Sequence, residues 1–201
     1  MKRIVGIVGT NSKKSTNRRL LKFIQKHFAD QAEIELLEIR DFPIFNKPED
    51  KTLPSIVEEA GEKIEQADAV IISAAEYNHS ITSSLTNALH WLSYFIYPLA
   101  DKPIMITGAS NGRLGSSRAQ MHLRQILDSP DIRARVMPNS EFLLGHSLQA
   151  FDDDGDLSDP KSVERLDTIF DEFIHFIDHT QEFTQLRNET KEAAENYEWR
   201  N

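Results

Sequence analysis

Arg3-Ile4-Val5-Gly6-Ile7-Val8-Gly9-Thr10-Asn11-Ser12-Lys13-Lys14-Ser15-Thr16-Asn17-Arg18-Arg19-Leu20-Leu21 contains the whole local logic of the chain. A short apolar run rich in β-branched residues is followed by a turn crowded with hydroxyls, amides and cations, and then by the start of an amphipathic repeat. The run suits a strand buried on both faces of a parallel sheet. Over residues 16–28 the stripe Leu20, Leu21, Ile24 and Phe28 predicts a helix that packs back on that sheet.

The same alternation continues outward. Residues 67–74 and 103–108 read as further buried strands, 33–39 as a more alternating edge strand, and 133–137 as a weak fifth. Helical periodicity covers 55–66, 83–97 and 116–127. It returns behind Pro160, where Val163, Leu166, Phe170, Phe173, Ile174 and Ile177 recur. Strands alternating with helices of this length require right-handed crossovers and a doubly wound sheet. The expectation is α/β, a flavodoxin-like three-layer sandwich with a five-stranded parallel sheet in the order 2-1-3-4-5. Ligands in such sheets bind beyond the carboxyl ends of the strands, so the loops after strands one, three and four are where chemistry is expected. Residues 1–182 are read as this domain. The polar stretch 183–201, whose sizeable apolar residues are Leu186, Tyr197 and Trp199, is read as a helical extension, exposed or packed on a partner.

Composition narrows the function classes. The 201 residues suit one domain, and the absence of cysteine removes disulfides, thiolate metal sites and cysteine nucleophiles. The net charge of -9 argues against nucleic acid as a partner, because that binding rests on clustered Lys and Arg. No apolar stretch has the length of a membrane span. The first strand starts almost at Met1, with no room for the apolar core of a signal peptide. A cytoplasmic location without membrane or nucleic-acid binding is therefore expected.

The loop at residues 9–17 offers hydroxyl, amide and ammonium donors at the start of a helix, whose free N–H groups and dipole favour an anion. A capped helix start, with Ser15 or Thr16 as N-cap, uses the same residues and needs no ligand. Two familiar phosphate loops are excluded: Lys13 stands where a nucleoside-triphosphate loop needs Gly, and the run from Gly6 to Asn11 lacks the spacing of the dinucleotide fingerprint. After the third strand, Ala75-Glu76-Tyr77-Asn78-His79-Ser80 brings a flat ring and an amide. After the fourth, Ser110-Asn111-Gly112-Arg113 brings glycine that lets backbone N–H groups come close to a ligand. As plain turns these loops would need none of that; taken with a phosphate loop they describe a mononucleotide site.

These segments, together with Asn87-Ala88-Leu89-His90-Trp91-Leu92 and Arg118-Ala119-Gln120-Met121-His122-Leu123-Arg124, resemble the NADPH-dependent FMN reductase family, which includes quinone, azo-dye and chromate reductases. The resemblance covers about residues 3–180, and its middle motif, usually Pro-Glu-Tyr-Asn, is the most diagnostic. It implies an NAD(P)H-dependent FMN enzyme working by ping-pong hydride transfer at flavin N5, with no catalytic side chain and no metal. The donor is NADPH or NADH and the acceptor is a small molecule such as a flavin, quinone or azo compound. The implied assembly is a homodimer or homotetramer. By the same resemblance Thr10, Ser12, Ser15, Thr16 and Asn17 hold the FMN phosphate. Ala75, Glu76, Tyr77 and Asn78 line the isoalloxazine, and Ser110, Asn111, Gly112 and Arg113 close over its other side.

Two positions depart from the family pattern. Ser12 replaces a usual Arg, which leaves phosphate neutralisation to Lys13 or Lys14, and Ala75 replaces the usual Pro, which is expected to loosen the turn. A rival reading is a flavodoxin-type electron carrier without nicotinamide oxidation; the alternating Thr and Gly usual in that first loop are missing here. Loss of flavin binding altogether, leaving a sensor or scaffold, is a third.

Other motifs carry plainer readings. His175 and His179 are one helical turn apart but lack a third metal ligand of suitable spacing. Asp152-Asp153-Asp154-Gly155-Asp156 fails as a calcium loop, because with Gly155 in the glycine position the outer ligands fall on Ala150 and Lys161. Trp91 and the aromatic residues at 94–97 exceed what one helical stripe buries, so they serve the core, a subunit interface or a wall of the site.

Overall fold

The computed structural model describes residues 1–139 and 141–195, with side chains to residue 184. Its elements run β1 (Lys2–Gly9), α1 (Thr16–His27), β2 (Ala32–Glu38), α2 (Ser55–Gln66), β3 (Ala69–Ala74), α3 (Ser83–Trp91), β4 (Pro103–Ala109), α4 (Ser117–Leu127), β5 (Arg135–Val136), β6 (Phe142–Leu144) and α5 (Pro160–Glu195). The sheet order is β2-β1-β3-β4-β5 and every pairing in it is parallel, as the alternation predicts.

Burial on both faces is visible residue by residue. Val5, Ile7, Val70 and Ile72 join one core with Val57, Ile64, Leu85, Leu89 and Leu123 from α2, α3 and α4. Ile4, Val8, Ala69 and Ile71 turn to the opposite core with Leu20, Ile24, Phe170 and Phe173 from α1 and α5. This is the period-two alternation of a central strand with apolar residues on both sides. Phe28 and Phe170 stack in the second core with centroids 3.7 Å apart.

Three boundaries differ from the sequence expectation. The fifth position of the sheet holds two short strands: Pro103 pairs with Arg135 and Ile104 with Val136, and the ladder resumes as β6 with Thr107 opposite Phe142. Pro138 has no N–H to give the ladder, and Asn139, at φ 56°, diverts the chain. Helix α3 stops at Trp91 and does not reach 97. Phe95 is left-handed at φ 63°, and Tyr97 precedes Pro98, a position biased against helix. Finally, α5 passes residue 182 without a break. Gln181 reaches the amino edge of the sheet, accepting a hydrogen bond from Lys2 and donating one to Asp68. The side chain of Leu186, and Tyr197 and Trp199 altogether, lie outside the described residues.

At the carboxyl edge the strands come together tightly. A Cβ on Gly108 would meet Ser116 Oγ at 2.0 Å and the carbonyl oxygen of Ala74 at 2.6 Å, so only glycine allows β4 to end against this turn.

Candidate functional site

Ser15 is the N-cap of α1: its backbone is extended, and its Oγ accepts the N–H of Arg18 at 3.2 Å. Thr10, almost fully buried, accepts the N–H of Ser12 through Oγ1 at 3.2 Å. Thr16 Oγ1 accepts from the hydroxyl of Ser147 at 2.9 Å. Each of these three hydroxyls is thus an acceptor within the protein and keeps its own hydrogen to donate. They line one wall of a cavity of about 320 Å³, beside the Lys14 side chain. The N–H groups of Thr16 and Asn17, in the first turn of α1, lack an intrahelical acceptor.

Ser12 and Asn17 also line the cavity, with side chains bonded within the protein. Ser12 Oγ donates to the carbonyl of Lys14 at 2.9 Å. Asn17 Nδ2 donates to the Ala109 carbonyl at 2.9 Å, while its Oδ1 accepts from the Ala109 N–H at 2.9 Å and from Ser73 Oγ at 3.0 Å. Asn17 therefore ties the start of α1 to the ends of β3 and β4.

Arg18 faces away from the cavity. Its Nη1 donates to the carbonyls of Ser12 and Lys13 at 2.8 and 3.2 Å, while Nε and Nη2 form a bidentate pair with Glu38 at the end of β2. The hydrogen bond from Arg18 is the main cause that holds the Glu38 carboxyl below its ordinary range, and the same bond raises Arg18.

The second wall comes from the loop after β3. Tyr77 and Ser80 exchange backbone hydrogen bonds, N–H to carbonyl in both directions at 3.0 and 3.1 Å, around Asn78 and His79 at φ 51° and 63°. Left-handed geometry at both central residues matches a type I′ turn, here built without glycine. With Ala75 buried below it, the turn is pinned twice to α4. Glu76 Oε2 accepts the N–H groups of Arg118 and Ala119 at 3.1 and 3.3 Å, and Ser80 Oγ lies 2.6 Å from His122 Nδ1. Glu76 thus caps a helix whose own N-cap residue, Ser116, makes no side-chain capping bond. Tyr77 is 52% exposed and lines the cavity.

The third wall is the loop after β4. The Ser110 N–H donates to the Leu144 carbonyl, and the Ser147 N–H donates to the Ser110 carbonyl, both at 3.0 Å. Ser110 Oγ accepts the N–H of Gly112 at 3.2 Å. Ser110 and Asn111 reach the cavity with Ala109 and Leu148, whereas Asn78, Gly112 and Arg113, singled out from the sequence, fall outside its lining. Lys14 lines it and Lys13 does not. Ser147 and Leu148 escaped the sequence reading. They follow β6, whose carboxyl end lies at the same edge, so the switch-point rule would have reached them had the split fifth strand been recognised.

The cavity lining therefore combines hydroxyl hydrogens, helix N–H groups and an ammonium with Ala75, Tyr77 and Leu148. That donor set fits a phosphate attached to a flat heterocycle.

The remaining polar clusters have local uses. Asp152 Oδ1 accepts the N–H groups of Asp154 and Asp156, and Asp156 pairs with Lys26, which makes the acidic run a closed turn. Among the described residues no three His, Asp or Glu side chains converge on a possible metal position, and no helix is long and apolar enough to cross a membrane.

A sequence model of the family described as NADPH-dependent FMN reductase matches residues 2–149. Among curated proteins, the chain is 54% identical to the NADH:(hydroxy)cinnamate reductase subunit CrdA of Vibrio ruber, over 92% of this chain and 90% of that one. It is 42% identical to the NADH-dependent flavin reductase subunit 2 of Lactobacillus johnsonii, over 89% and 99%, and 36% identical to the quinone reductase of Escherichia coli, over 85% and 94%. Among solved structures, the flavoenzyme NAD(P)H:(acceptor) oxidoreductase of Paracoccus denitrificans superposes with a TM-score of 0.80 at 29% identity, over 90% of this chain and 99% of that one.

Proposed function

We propose, from the premise that the chain belongs to the NADPH-dependent FMN reductase family, that it is an NAD(P)H-dependent oxidoreductase holding FMN in the crevice above β1, β3 and β4. The observation that carries the reading is the trio of Thr10, Ser15 and Thr16, whose hydroxyls accept within the protein and keep their hydrogens for an anion beside Lys14. In this reading they hold the ribityl phosphate with the first N–H groups of α1. Tyr77 and Ala75 flank the isoalloxazine, and Ser110 and Asn111 face its other side. Asn17 and Ser12 shape the phosphate loop from behind.

The chemistry that FMN supplies when bound is transfer of a hydride equivalent from NADH or NADPH, and then of two electrons to an acceptor such as a quinone or a free flavin. The protein's part is to bind, orient and shield. Glu76 is the acidic side chain in the lining, and its carboxylate is spent on the start of α4, which supports a site with no obligatory acid or base. The turn at 77–80 holds the Tyr77 ring in place through backbone bonds and through α4.

The two relatives named as NADH-linked subunits favour NADH as the donor. A homodimer in the cytoplasm completes the proposal. The exposed Ile44, Phe95 and Tyr97 offer apolar surface for a second copy, and light scattering on the purified protein tests it.

The main test is the visible spectrum of purified protein titrated with FMN and then, without oxygen, with NADH or NADPH. Bands that shift on binding and bleach with nicotinamide support the reductase. Bound flavin that stays oxidised favours an electron carrier, and no bound flavin sinks both.

A further inference from the structure

Three consecutive carbonyls of the first loop are held by side-chain donors of the loop and of α1. Those of Ser12 and Lys13 accept from Arg18 Nη1, and that of Lys14 accepts from Ser12 Oγ. In a trans peptide the following N–H points opposite to its carbonyl, so the N–H groups of Lys13 and Lys14 are turned away from Arg18, and that of Ser15 away from Ser12 Oγ. None of the three has a hydrogen-bond acceptor among the described residues. Successive N–H groups turned to one side, as those of Lys13 and Lys14 are, attract an anion independently of the helix that follows.

Arg18 cannot itself be the phosphate ligand. Its guanidinium is occupied on both edges, by the two carbonyls and by the Glu38 carboxylate, and its side chain is 13% exposed. The resemblance and the lining alike pass over it, because it lies one residue beyond Asn17 and behind the loop. A guanidinium is the side chain that can do this: its fork of donors spans two carbonyls and a carboxylate at once, which an ammonium on a flexible stem does not. Glu38 fixes the fork and offsets its charge.

We propose that Arg18, locked by Glu38, is the positioning residue for phosphate recognition: it takes the carbonyls of Ser12 and Lys13 and so turns the N–H of Lys14, a residue of the cavity lining, toward the phosphate. The inference rests on the FMN reading above and deepens it. Selection of FMN over riboflavin then depends on a residue that touches neither.

The test compares dissociation constants for FMN and riboflavin, measured by quenching of flavin fluorescence, in the wild-type protein, R18K and E38A. R18K keeps the charge and removes the fork, so FMN affinity falls about tenfold, the worth of one charge-assisted hydrogen bond, while riboflavin affinity stays unchanged. E38A lowers FMN affinity by a smaller factor with riboflavin again unchanged. If R18K does not yield folded protein, E38A carries the same test, since Glu38 is half-exposed at the end of β2. FMN affinity unchanged in the variants overturns the inference, as does an equal loss for both flavins, which would mark plain fold support. Wild-type protein that binds neither flavin overturns the FMN reading and this inference with it, a result distinct from the other two.

Discussion

Replacing Asn17 by Ala tests the claim that one buried amide holds the carboxyl ends of two strands to the helix that follows the first loop. Asn17 is 3% exposed, and its amide serves the N–H and carbonyl of Ala109 and the hydroxyl of Ser73. Truncation leaves two backbone groups at the end of β4 without partners in a dry setting; Ser73 Oγ can rotate to another acceptor. An unsatisfied buried group costs about 1–3 kcal/mol, so the expected loss is about 2–4 kcal/mol after local relaxation. For a chain of this size that is a fall in Tm of about 5–15 °C, read by thermal or urea unfolding followed by circular dichroism. Asn17→Asp sharpens the test. A carboxylate keeps the two acceptor contacts but sets a charged oxygen against the Ala109 carbonyl, whereas a protonated carboxyl restores a donor. Burial raises the pKa of that introduced acid, so the stability it contributes is present at low pH and lost as pH rises. Asn17→Asp should therefore approach wild type on acidification while Asn17→Ala does not. Unfolding of Asn17→Ala within about 1 °C of wild type would refute the account of this amide.

Other expectations concern the loops. The depressed pKa of Glu38 means that its pair with Arg18 contributes fully above the ordinary carboxylate range and is lost as pH falls through the lower folded value. Because Glu38 is 40% exposed the contribution is screened to about 0.5–1 kcal/mol, and the gap between wild type and Glu38→Gln in urea unfolding should close only in acid. Lys14→Ala should weaken FMN about three- to tenfold, with a shallower salt dependence and no change for riboflavin; equal weakening of both would remove Lys14 from the phosphate end. His79→Gly should stabilise the fold by roughly 0.5 kcal/mol, because a side chain at φ 63° gives way to the residue that type I′ turns favour, and a loss in urea midpoint would contradict that turn.

The order of the sheet was legible because buried parallel strands leave apolar runs whose period and spacing do not depend on distant partners. Boundaries that failed are those set by packing. The heptad-like recurrence of Leu85, Leu89, Leu92 and Ile96 continues past the end of α3, since Leu92 and Ile96 still face the core from a non-helical path, with Ile96 seated where Gly61 leaves room. The split of the fifth strand turns on Pro138 and Asn139, residues that a short weak strand gives little reason to weigh.

The site divides along the same line. That hydroxyls and an ammonium gather after β1 is readable from residue types alone, and so is a ring beyond β3. Which polar atoms remain available to a ligand is decided by partners remote in sequence. Ser147 donates to Thr16 from 131 residues away, Ala109 claims the Asn17 amide across 92, and Glu76 caps α4 across 42. Each of these contacts either frees a hydrogen for the cavity or removes an atom from it. A donor census made from the motif alone counts Ser12 and the Asn17 amide among the ligands and omits Arg18. The internal bonds show that the side chains of the first two, though in the lining, are bonded within the protein, and in the proposed reading Arg18 is the group that aims the loop. In the proposed reading, the specificity of this crevice resides as much in the bonds that occupy its polar atoms from behind as in the atoms that face the ligand.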